Sequence, residues 1–396
     1  MAEASRENAR CIMEYLSQYG ELTNQKVNFD KSELYLPTKI WLDVRKQLNE
    51  VLGLKVANMS FRYLGVLISA SAPPTSVGVC YGTLGDNLPL ASDVISLMER
   101  CGIYKFRLYN PNLNVLDTLL RQSDRMVSVG VPNEHLSILA SSLDEARIWV
   151  AKFYTPYRRL NIENIVVGNE VVPGENAQYL VGATRNLYTA LREATFPDII
   201  LTTALSTGCL VNTYPPSQAT FSPEAIGVMT DYVNLLKELD MFYNMIYIHV
   251  YPYFAYAADP ANVRLDYALF QATEPVVQDG DLAYFNLFDA MFDSFMWAME
   301  KINGQDIYLA VGETGWPSAG NGNFTTPQLA QTYMTNLYQH IVVDNKTPKN
   351  SKGMRGVMAF AMFNENLKPA GVEQNFGLFY PDLQAVYPTP FCQCKC

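Results

Sequence analysis

The sequence predicts a (β/α)8 TIM barrel over residues 76–390, with a short N-terminal extension before it. Eight short apolar runs recur in this region, and each is continuous instead of alternating, as expected of parallel strands buried on both faces. Helical patterns fill the intervals, and strands that alternate with helices are typical of this fold class. Apolar residues make up 49% of the 396 residues, which is enough to fill a large core.

The strands matter most at their C-terminal ends, because the active site of such a barrel gathers there. The intervening helices are clearest at Pro89–Arg100 and Ser142–Phe153. The eight predicted strands are Val77–Tyr81, Tyr104–Tyr109, Met126–Val131, Asn164–Gly168, Ile199–Ala204, Met245–Val250, Ile307–Val311 and Gly356–Phe360. Polar residues directly after these strands are therefore the first candidates for chemistry.

The N-terminal extension covers residues 1–72 and ends at Ala-Pro-Pro-Thr (72–75), where the chain changes character. Apolar residues between 40 and 52 have helical spacing. The segments N-Q-K-V-N-F-D-K-S (24–32) and R-Y-L-G-V (62–66) resemble part of a plant retrotransposon reverse transcriptase. Because the paired aspartates of a polymerase site are missing from the segment, we interpret it as a fusion or a join of two coding segments. An ordinary extension is one alternative. A nucleic-acid module is another, but the missing aspartates and the acidic isoelectric point count against it.

Charge and hydropathy exclude several classes of partner. The formal net charge is −10 and the isoelectric point is near 4.9, so we expect no nucleic-acid binding. No apolar run reaches the length of a membrane-spanning helix, and no signal peptide is visible at the N-terminus. This charge would neither favour nor oppose the binding of a neutral polysaccharide.

The cysteines show no zinc-finger spacing, and the sequence leaves their pairing open. The terminal C-x-C-x-C lies in residues 391–396, which we expect to be a frayed, cysteine-containing tail and not a metal or redox cluster. The seven cysteines are Cys11, Cys80, Cys101, Cys209, Cys392, Cys394 and Cys396.

Two glutamates follow predicted strands at the barrel mouth. Glu170 ends the run Val-Gly-Asn-Glu after the fourth strand, and Glu313 follows Val-Gly after the seventh. Hydrolysis of a glycosidic bond needs two carboxyls beside one bond, one protonated and one ionised. A single glutamate in such a place is more often a helix-capping acid or a solvated loop charge. Two in matching positions favour a retaining glycosidase.

Motifs throughout the barrel region occur in the order found in one known family. They are V-G-V-C-Y-G (77–82), R-L-Y-N-P-N (107–112), V-G-N-E-V (167–171), Y-P-P-S-Q-x-x-F (214–221), Y-P-Y-F-A-Y (251–256), G-E-T-G-W-P-S-A-G (312–320) and F-N-E-N-x-K (363–368). On these motifs the region resembles plant glycoside hydrolase family 17, the endo-1,3-β-glucanases and the related 1,3-1,4-β-glucanases.

The resemblance implies a retaining mechanism with no cofactor and no metal. It assigns Glu170 as general acid/base, Glu313 as nucleophile, and Glu365 and Lys368 as supporting residues; a surface ion pair is the alternative for the last two. The implied partner is β-1,3-glucan, bound by a monomer without membrane or nucleic acid. Family members are typically secreted to the cell wall or sent to the vacuole. A mixed-linkage glucanase and an inactive glucan-binding barrel remain alternatives.

Aromatic residues near the strand ends are candidates for stacking on glucose units, although core packing is equally open for each. By motif position, Tyr109 and Tyr251 have the better claim. Two positions depart from the family pattern: His249 replaces a common Asn, and Asn364 replaces a usual Asp. His249 would bring a titrating group near the cleft in one interpretation; we favour the alternative, a satisfied, neutral histidine at a strand end. The predicted substrate-binding residues are Tyr81, Tyr109, Asn169, Tyr251, Tyr253, Phe254, Trp316 and Phe363.

Overall fold

The computed structural model describes residues 77–122, 125–196 and 199–392, together with four short strands before them. The chain divides into two compact units, Met1–Pro74 and Thr75–Cys396. In the first unit Glu33–Leu34 pairs in parallel with Lys55–Val56, and Phe61–Tyr63 pairs antiparallel with Val66–Ile68. The helix predicted between residues 40 and 52 lies outside the described residues.

The second unit is a closed barrel of eight parallel strands, which confirms the predicted fold class. The strands pair in the order β6-β7-β8-β1-β2-β3-β4-β5, and β5 closes the barrel on β6. All eight predicted strands are present, with small shifts at their ends. They are β1 Val77–Cys80, β2 Lys105–Leu108, β3 Met126–Val131, β4 Asn161–Asn169, β5 Ile200–Leu205, β6 Met245–His249, β7 Tyr308–Thr314 and β8 Val357–Ala359.

Helices surround the barrel, and their first turns carry sequence signals for helix initiation. Ser142 and Thr326 each accept a backbone N–H from three residues ahead, and Pro327 occupies the first turn that Thr326 caps. The helices are α1 Ala91–Arg100, α2 Leu113–Gln122, α3 Leu136–Ser141, α4 Leu143–Phe153, α5 Leu180–Glu193, α6 Pro223–Glu238, α7 Pro252–Ala258, α8 Leu265–Ala268, α9 Leu287–Lys301 and α10 Pro327–Val343. Two small antiparallel pairs lie in the loops: Leu210–Val211 with Thr220–Phe221, and Val277–Asp279 with Leu282–Tyr284.

The strand side chains divide between two buried clusters, because successive residues of a strand face opposite sides. On β6, Ile246 and Ile248 belong to the large cluster with the helices, whereas Met245 and Tyr247 belong to a small cluster with Val166 of β4. The same alternation places His249 on the side of Tyr247, inside the barrel and at its C-terminal end. Among the described residues, no helix combines the length and apolar composition needed to cross a membrane.

A disulfide corrects the expectation of a frayed C-terminal tail. Cys392 is bonded to Cys101, which directly follows α1, across a sequence separation of 291 residues. Residues 393–396 lie outside the described part of the chain. The tail is therefore fixed to the barrel at least as far as Cys392.

Candidate active site

Glu170 directly follows β4 and has a left-handed backbone with φ 54°. This conformation is uncommon for a residue other than glycine and is often found where the surrounding structure holds a functional side chain in place. The Glu170 backbone N–H donates to the Ala204 carbonyl of β5 at 2.9 Å, which fixes the turn. The carboxylate side chain is 40% exposed, so a substrate in the barrel mouth can reach it.

Glu313 lies within β7 and is only 7% exposed. Its pairing with β6 is irregular, since Ile248 pairs with Val311 but the next residue, His249, pairs with Glu313. Such a bulge changes the direction of a side chain near an active site. A Cβ on the preceding Gly312 would lie 2.8 Å from the Cβ of Tyr247, so this approach requires glycine.

Three donors surround the Glu313 carboxylate. Tyr109 donates to Oε1 at 2.7 Å, Tyr251 donates to Oε2 at 2.8 Å, and Nη1 of Arg107 lies 3.4 Å from Oε1. Burial raises the pKa of both tyrosines well above 10, and the charge of Glu313 raises each further. The phenols therefore keep their protons and act as donors, an arrangement that suits an ionised Glu313.

The two predicted carboxylates meet at the mouth. An oxygen of Glu170, an oxygen of Glu313 and a ring nitrogen of His249 all lie within 4.8 Å of one another. Carboxyl groups about 5 to 5.5 Å apart are typical of retaining glycosidases, whereas inverting enzymes separate them further to admit water. Three such ligand atoms could also approach a cation, but the guanidinium of Arg107 lies 2.9 Å from His249 and 3.4 Å from Glu313 and supplies a positive charge there.

Arg107 joins the parts of the site, and the sequence analysis did not single it out. It lies in β2, is 1% exposed, and donates from Nη2 to Oδ1 of Asn169 at 2.5 Å and from Nη1 to the Gly312 carbonyl at 3.1 Å. Burial lowers its pKa, but the surrounding groups, first among them Tyr109 and Glu313, raise it on balance. The signal in the sequence was an arginine between Phe106 and Leu108 in an apolar strand.

His249 contacts the predicted acid/base. Its Nδ1 lies 2.6 Å from Oε1 of Glu170, and its Nε2 lies 2.9 Å from Nη1 of Arg107. The expectation of a histidine with satisfied ring nitrogens at a strand end holds. Its partners, however, belong to the catalytic cluster and not to the outer packing of the barrel.

Glu365 and Lys368 form a buried pair, so the alternative of a surface ion pair does not apply. Glu365 is 2% exposed and accepts from the Leu84 N–H at 2.7 Å and from Lys368 at 3.1 Å. A Cβ on Gly82 would lie 2.4 Å from its carboxylate. The Lys368 ammonium also lies 4.2 Å from the ring centre of Phe360. Within the described residues, neither Glu365 nor Lys368 has a hydrogen bond to the two carboxylates at the mouth.

The candidate stacking rings differ in exposure. Phe254 is 42% exposed, while the hydroxyls of Tyr109 and Tyr251 hold Glu313. The four rings that are almost fully buried pack against other rings, and for these the structure favours the packing alternative. They are Tyr81, Tyr253, Trp316 and Phe363.

The two asparagines named by the sequence analysis have structural partners. The backbone of Asn169 exchanges hydrogen bonds with the side chain of Asn133, at 2.8 and 2.9 Å, while its own side chain accepts from Arg107. Asn364 accepts the Gly377 N–H at 2.8 Å. Asn169 is thus fixed beside Glu170, and Asn364 orders the exit of the last strand.

The barrel region is similar to known glycoside hydrolases. Residues 77–391 match the sequence profile of Glycosyl hydrolases family 17. The chain is 45% identical over 315 residues to the probable glucan endo-1,3-beta-glucosidase BG4 of Arabidopsis thaliana, covering 79% of this chain and 90% of that protein. It is 41% identical to Lichenase-2 of Hordeum vulgare, over 81% of this chain and 100% of that one. The structure of CJP38, a beta-1,3-glucanase and allergen of Cryptomeria japonica pollen, superposes with a TM-score of 0.75 at 43% identity, over 80% and 98% of the two chains.

Proposed function

The chain belongs to glycosyl hydrolases family 17, and from this we infer that Glu170 and Glu313 cleave its substrate by double displacement. The protein is a glycoside hydrolase that cleaves 1,3-β-D-glucosidic linkages within β-glucans. The observation that carries the assignment of residues is the approach of the two carboxylates to within 4.8 Å, with one of them held by two tyrosine hydroxyls.

In the first step Glu313 attacks the anomeric carbon while Glu170 gives its proton to the departing glycosidic oxygen. The bond from the anomeric carbon to that oxygen breaks, and a glucosyl ester forms on Glu313. The hydrogen bonds from Tyr109 and Tyr251 orient the attacking carboxylate. Arg107 balances the charge of the buried anion.

In the second step Glu170, now ionised, takes a proton from water. The water attacks the anomeric carbon, the ester bond to Glu313 breaks, and the sugar leaves with its original configuration. Glu170 needs access to both the leaving group and water, and its partly exposed side chain supports this double role. Phe254, exposed beside the ring of Tyr251 at 5.4 Å between centroids, is placed to stack on a glucose unit.

A mixed-linkage specificity is a second candidate, because Lichenase-2 is nearly as similar to this chain as BG4. Linkage preference depends on the shape of the cleft, and identities of 45% and 41% differ too little to decide it. We favour the 1,3-linkage because several further relatives, at 37–42% identity, are also named glucan endo-1,3-beta-glucosidases.

The N-terminal extension, with its resemblance to a reverse-transcriptase fragment, takes no part in the proposed reaction. The barrel unit from Thr75 contains all the groups that the mechanism uses. We expect the enzyme to act on glucan as a monomer, without a nucleic-acid or membrane partner.

The test is release of reducing ends from laminarin and from barley mixed-linkage glucan by the full chain and by a truncated chain beginning at Ser76. Cleavage of laminarin by both chains, with the Glu313→Gln variant of each inactive, supports the assignment. It also supports the proposal that the extension is not needed for the reaction. Binding of laminarin by the wild type without any cleavage would instead support a glucan-binding barrel. Faster cleavage of the mixed-linkage glucan would favour the second candidate.

A further inference from the structure

His249 is enclosed by the catalytic groups. It ends β6, is 1% exposed, and its ring lies between Glu170 on one side and Arg107 on the other. Its Cδ2 would lie 3.1 Å from a Cβ built on Gly312, so β7 leaves little room for the ring to move. The ring therefore has one orientation and two hydrogen-bond partners, with Oε1 of Glu313 3.5 Å from Nε2.

The partner on Nε2 fixes the tautomer. A guanidinium has only N–H donors and keeps its charge, so Nε2 of His249 has to accept at the 2.9 Å contact with Arg107. The single proton of a neutral ring then lies on Nδ1, where it is donated to Oε1 of Glu170 at 2.6 Å. A second proton, on Nε2, would face the Arg107 donor and break this contact.

We propose that His249 is a positioning residue that holds Glu170 as a carboxylate through its Nδ1–H. As a result, the alkaline limit of glucan cleavage lies at a lower pH than it would without this hydrogen bond. The proposal rests on the proposed role of Glu170 as general acid. Glycosidic cleavage needs a protonated Glu170, so kcat/KM falls as the pH rises through the pKa of this group in the free enzyme. A donor that favours the carboxylate moves this fall toward acid.

On balance, the groups around Glu170 also lower its pKa. Burial raises the pKa of Glu170, but the hydrogen bond from His249, the electrostatic interaction with that ring and the nearby charge of Arg107 outweigh burial and leave the pKa below its usual value. Asparagine, the residue that the family commonly has here, is a neutral donor on a shorter side chain. It cannot join Arg107 to Glu170 through two ring nitrogens.

Five of the groups around the pair keep one charge state over the range of the assay: Cys80, Arg107, Tyr109, Cys209 and Tyr251. Burial raises the pKa of Cys80 and of Cys209 to about 12 and that of the two site tyrosines well above 10, so these stay neutral. Arg107 stays charged. The groups that face His249 and Glu170 from the packed strands and their loops are Cys80, Arg107, Tyr109, Cys209, Tyr247, Tyr251 and Glu313.

The test compares pH profiles of kcat/KM for the wild type, His249→Ala and His249→Asn on laminarin. Loss of one hydrogen bond to a carboxylate should move the alkaline limb upward by about one pH unit in His249→Ala. The asparagine variant guards against misfolding in the alanine variant, and its limb should also move upward. His340→Asn, the same replacement on the outer helix α10, is the matched control and should leave the limb in place.

A second substrate distinguishes a change in the protonation of Glu170 from a distortion of the active site. With 2,4-dinitrophenyl β-laminaribioside the leaving group needs no proton, so the variants should show no upward shift. An equal shift on both substrates, or an unmoved limb on laminarin in both His249 variants, overturns the proposal. If Glu170→Ala itself cleaved laminarin at the wild-type rate, the proposed function would fail first, and the two failures are thus distinguishable.

The tautomer can also be observed directly in the wild-type protein by NMR. The chain has three histidines, so selective ¹⁵N labelling gives few ring signals to assign, with His249→Asn to identify the one that disappears. We expect the neutral ring of His249 in the wild type to carry its proton on Nδ1. A ring that carries its proton on Nε2 would contradict the geometry on which the proposal depends.

Discussion

Tyr251 donates a 2.8 Å hydrogen bond to Oε2 of Glu313, the oxygen that Tyr109 does not reach. The two phenols thus hold separate oxygens of one carboxylate and restrict its rotation. Since both rings follow barrel strands, the nucleophile is oriented from β2 and β6 as well as from its own strand β7.

Tyr251→Phe removes one of these donors and leaves the ring in place. A hydrogen bond to a charged group contributes about 1.5–3 kcal/mol, so we expect kcat/KM on laminarin to fall about 10- to 100-fold. Tyr188→Phe, on the outer helix α5, removes a hydroxyl that contacts Asp240 and should leave kcat/KM unchanged. An unaffected Tyr251→Phe enzyme would mean that Tyr109 alone suffices to orient Glu313.

Glu313→Gln keeps the volume and one acceptor of the side chain but removes the nucleophile. We expect kcat on laminarin to fall by roughly 10³-fold or more. The melting temperature should change little, because the amide oxygen can still accept from Tyr109 or Tyr251. Near-wild-type turnover in a folded Glu313→Gln protein would contradict the assignment of the nucleophile.

Glu170→Ala should separate the two steps of the reaction. Laminarin cleavage needs the acid and should become very slow, whereas an aryl laminaribioside with a good leaving group should still form the ester on Glu313. Added azide should then accelerate turnover by attacking this ester and give a β-glycosyl azide, which NMR identifies. An α-configured product would exclude retention.

Asp293, on α9, gives a pH dependence of stability that is independent of the active site. Its side chain is fully buried and accepts hydrogen bonds from Thr347 and from the Lys349 N–H, yet burial dominates and raises its pKa from 3.8 to about 7. The folded state thus binds this proton more tightly than the unfolded state does. The stability it contributes is complete below about pH 4 and is lost as the pH rises through 7.

We therefore compare the free energy of unfolding of the wild type with that of Asp293→Asn between pH 4 and pH 8. Relative to the variant, the wild type should lose on the order of 4 kcal/mol over this range. Asp231→Asn, at an exposed position of α6, serves as the control and should follow the wild type. Parallel curves for the wild type and Asp293→Asn would show that the folded and unfolded pKa values do not differ.

Removal of the disulfide should weaken the barrel. Cys392→Ser opens a loop of 291 residues and is expected to lower the free energy of unfolding by about 2–5 kcal/mol, measured by urea denaturation. Reduced wild-type protein should match the variant. If reduction leaves the urea midpoint of the wild type unchanged, the bond contributes nothing to stability.

The barrel and the paired carboxylates were predictable because they depend on local patterns. Buried parallel strands leave continuous apolar runs, and strand ends locate Glu170 and Glu313 without any knowledge of side-chain contacts. The bonds that orient these two groups were not predictable. They join Arg107, His249 and Tyr251 across long stretches of chain, and a side chain's hydrogen-bond partner is not encoded in the spacing around it.

The bulge at Glu313 and the partner of Cys392 could not be predicted from the sequence, for the same reason. A bulge is a relation between two strands, here β6 and β7, and a disulfide is a relation between two distant segments. His249 shows the limit most clearly. The sequence marked it as a departure from the family, but only the structure places its two ring nitrogens on an acid and a cation.

The bond between Cys101 and Cys392 makes a covalent ring that contains seven of the eight barrel strands, β2 to β8. A protease that cuts a loop inside this ring opens it without releasing a fragment, so the nicked halves stay together and can keep their packing. A cut ahead of Val77 has the opposite result, because it frees everything upstream and leaves the ring whole. Removal of the N-terminal unit and damage to the barrel are therefore different events, and electrophoresis with and without reductant would tell them apart.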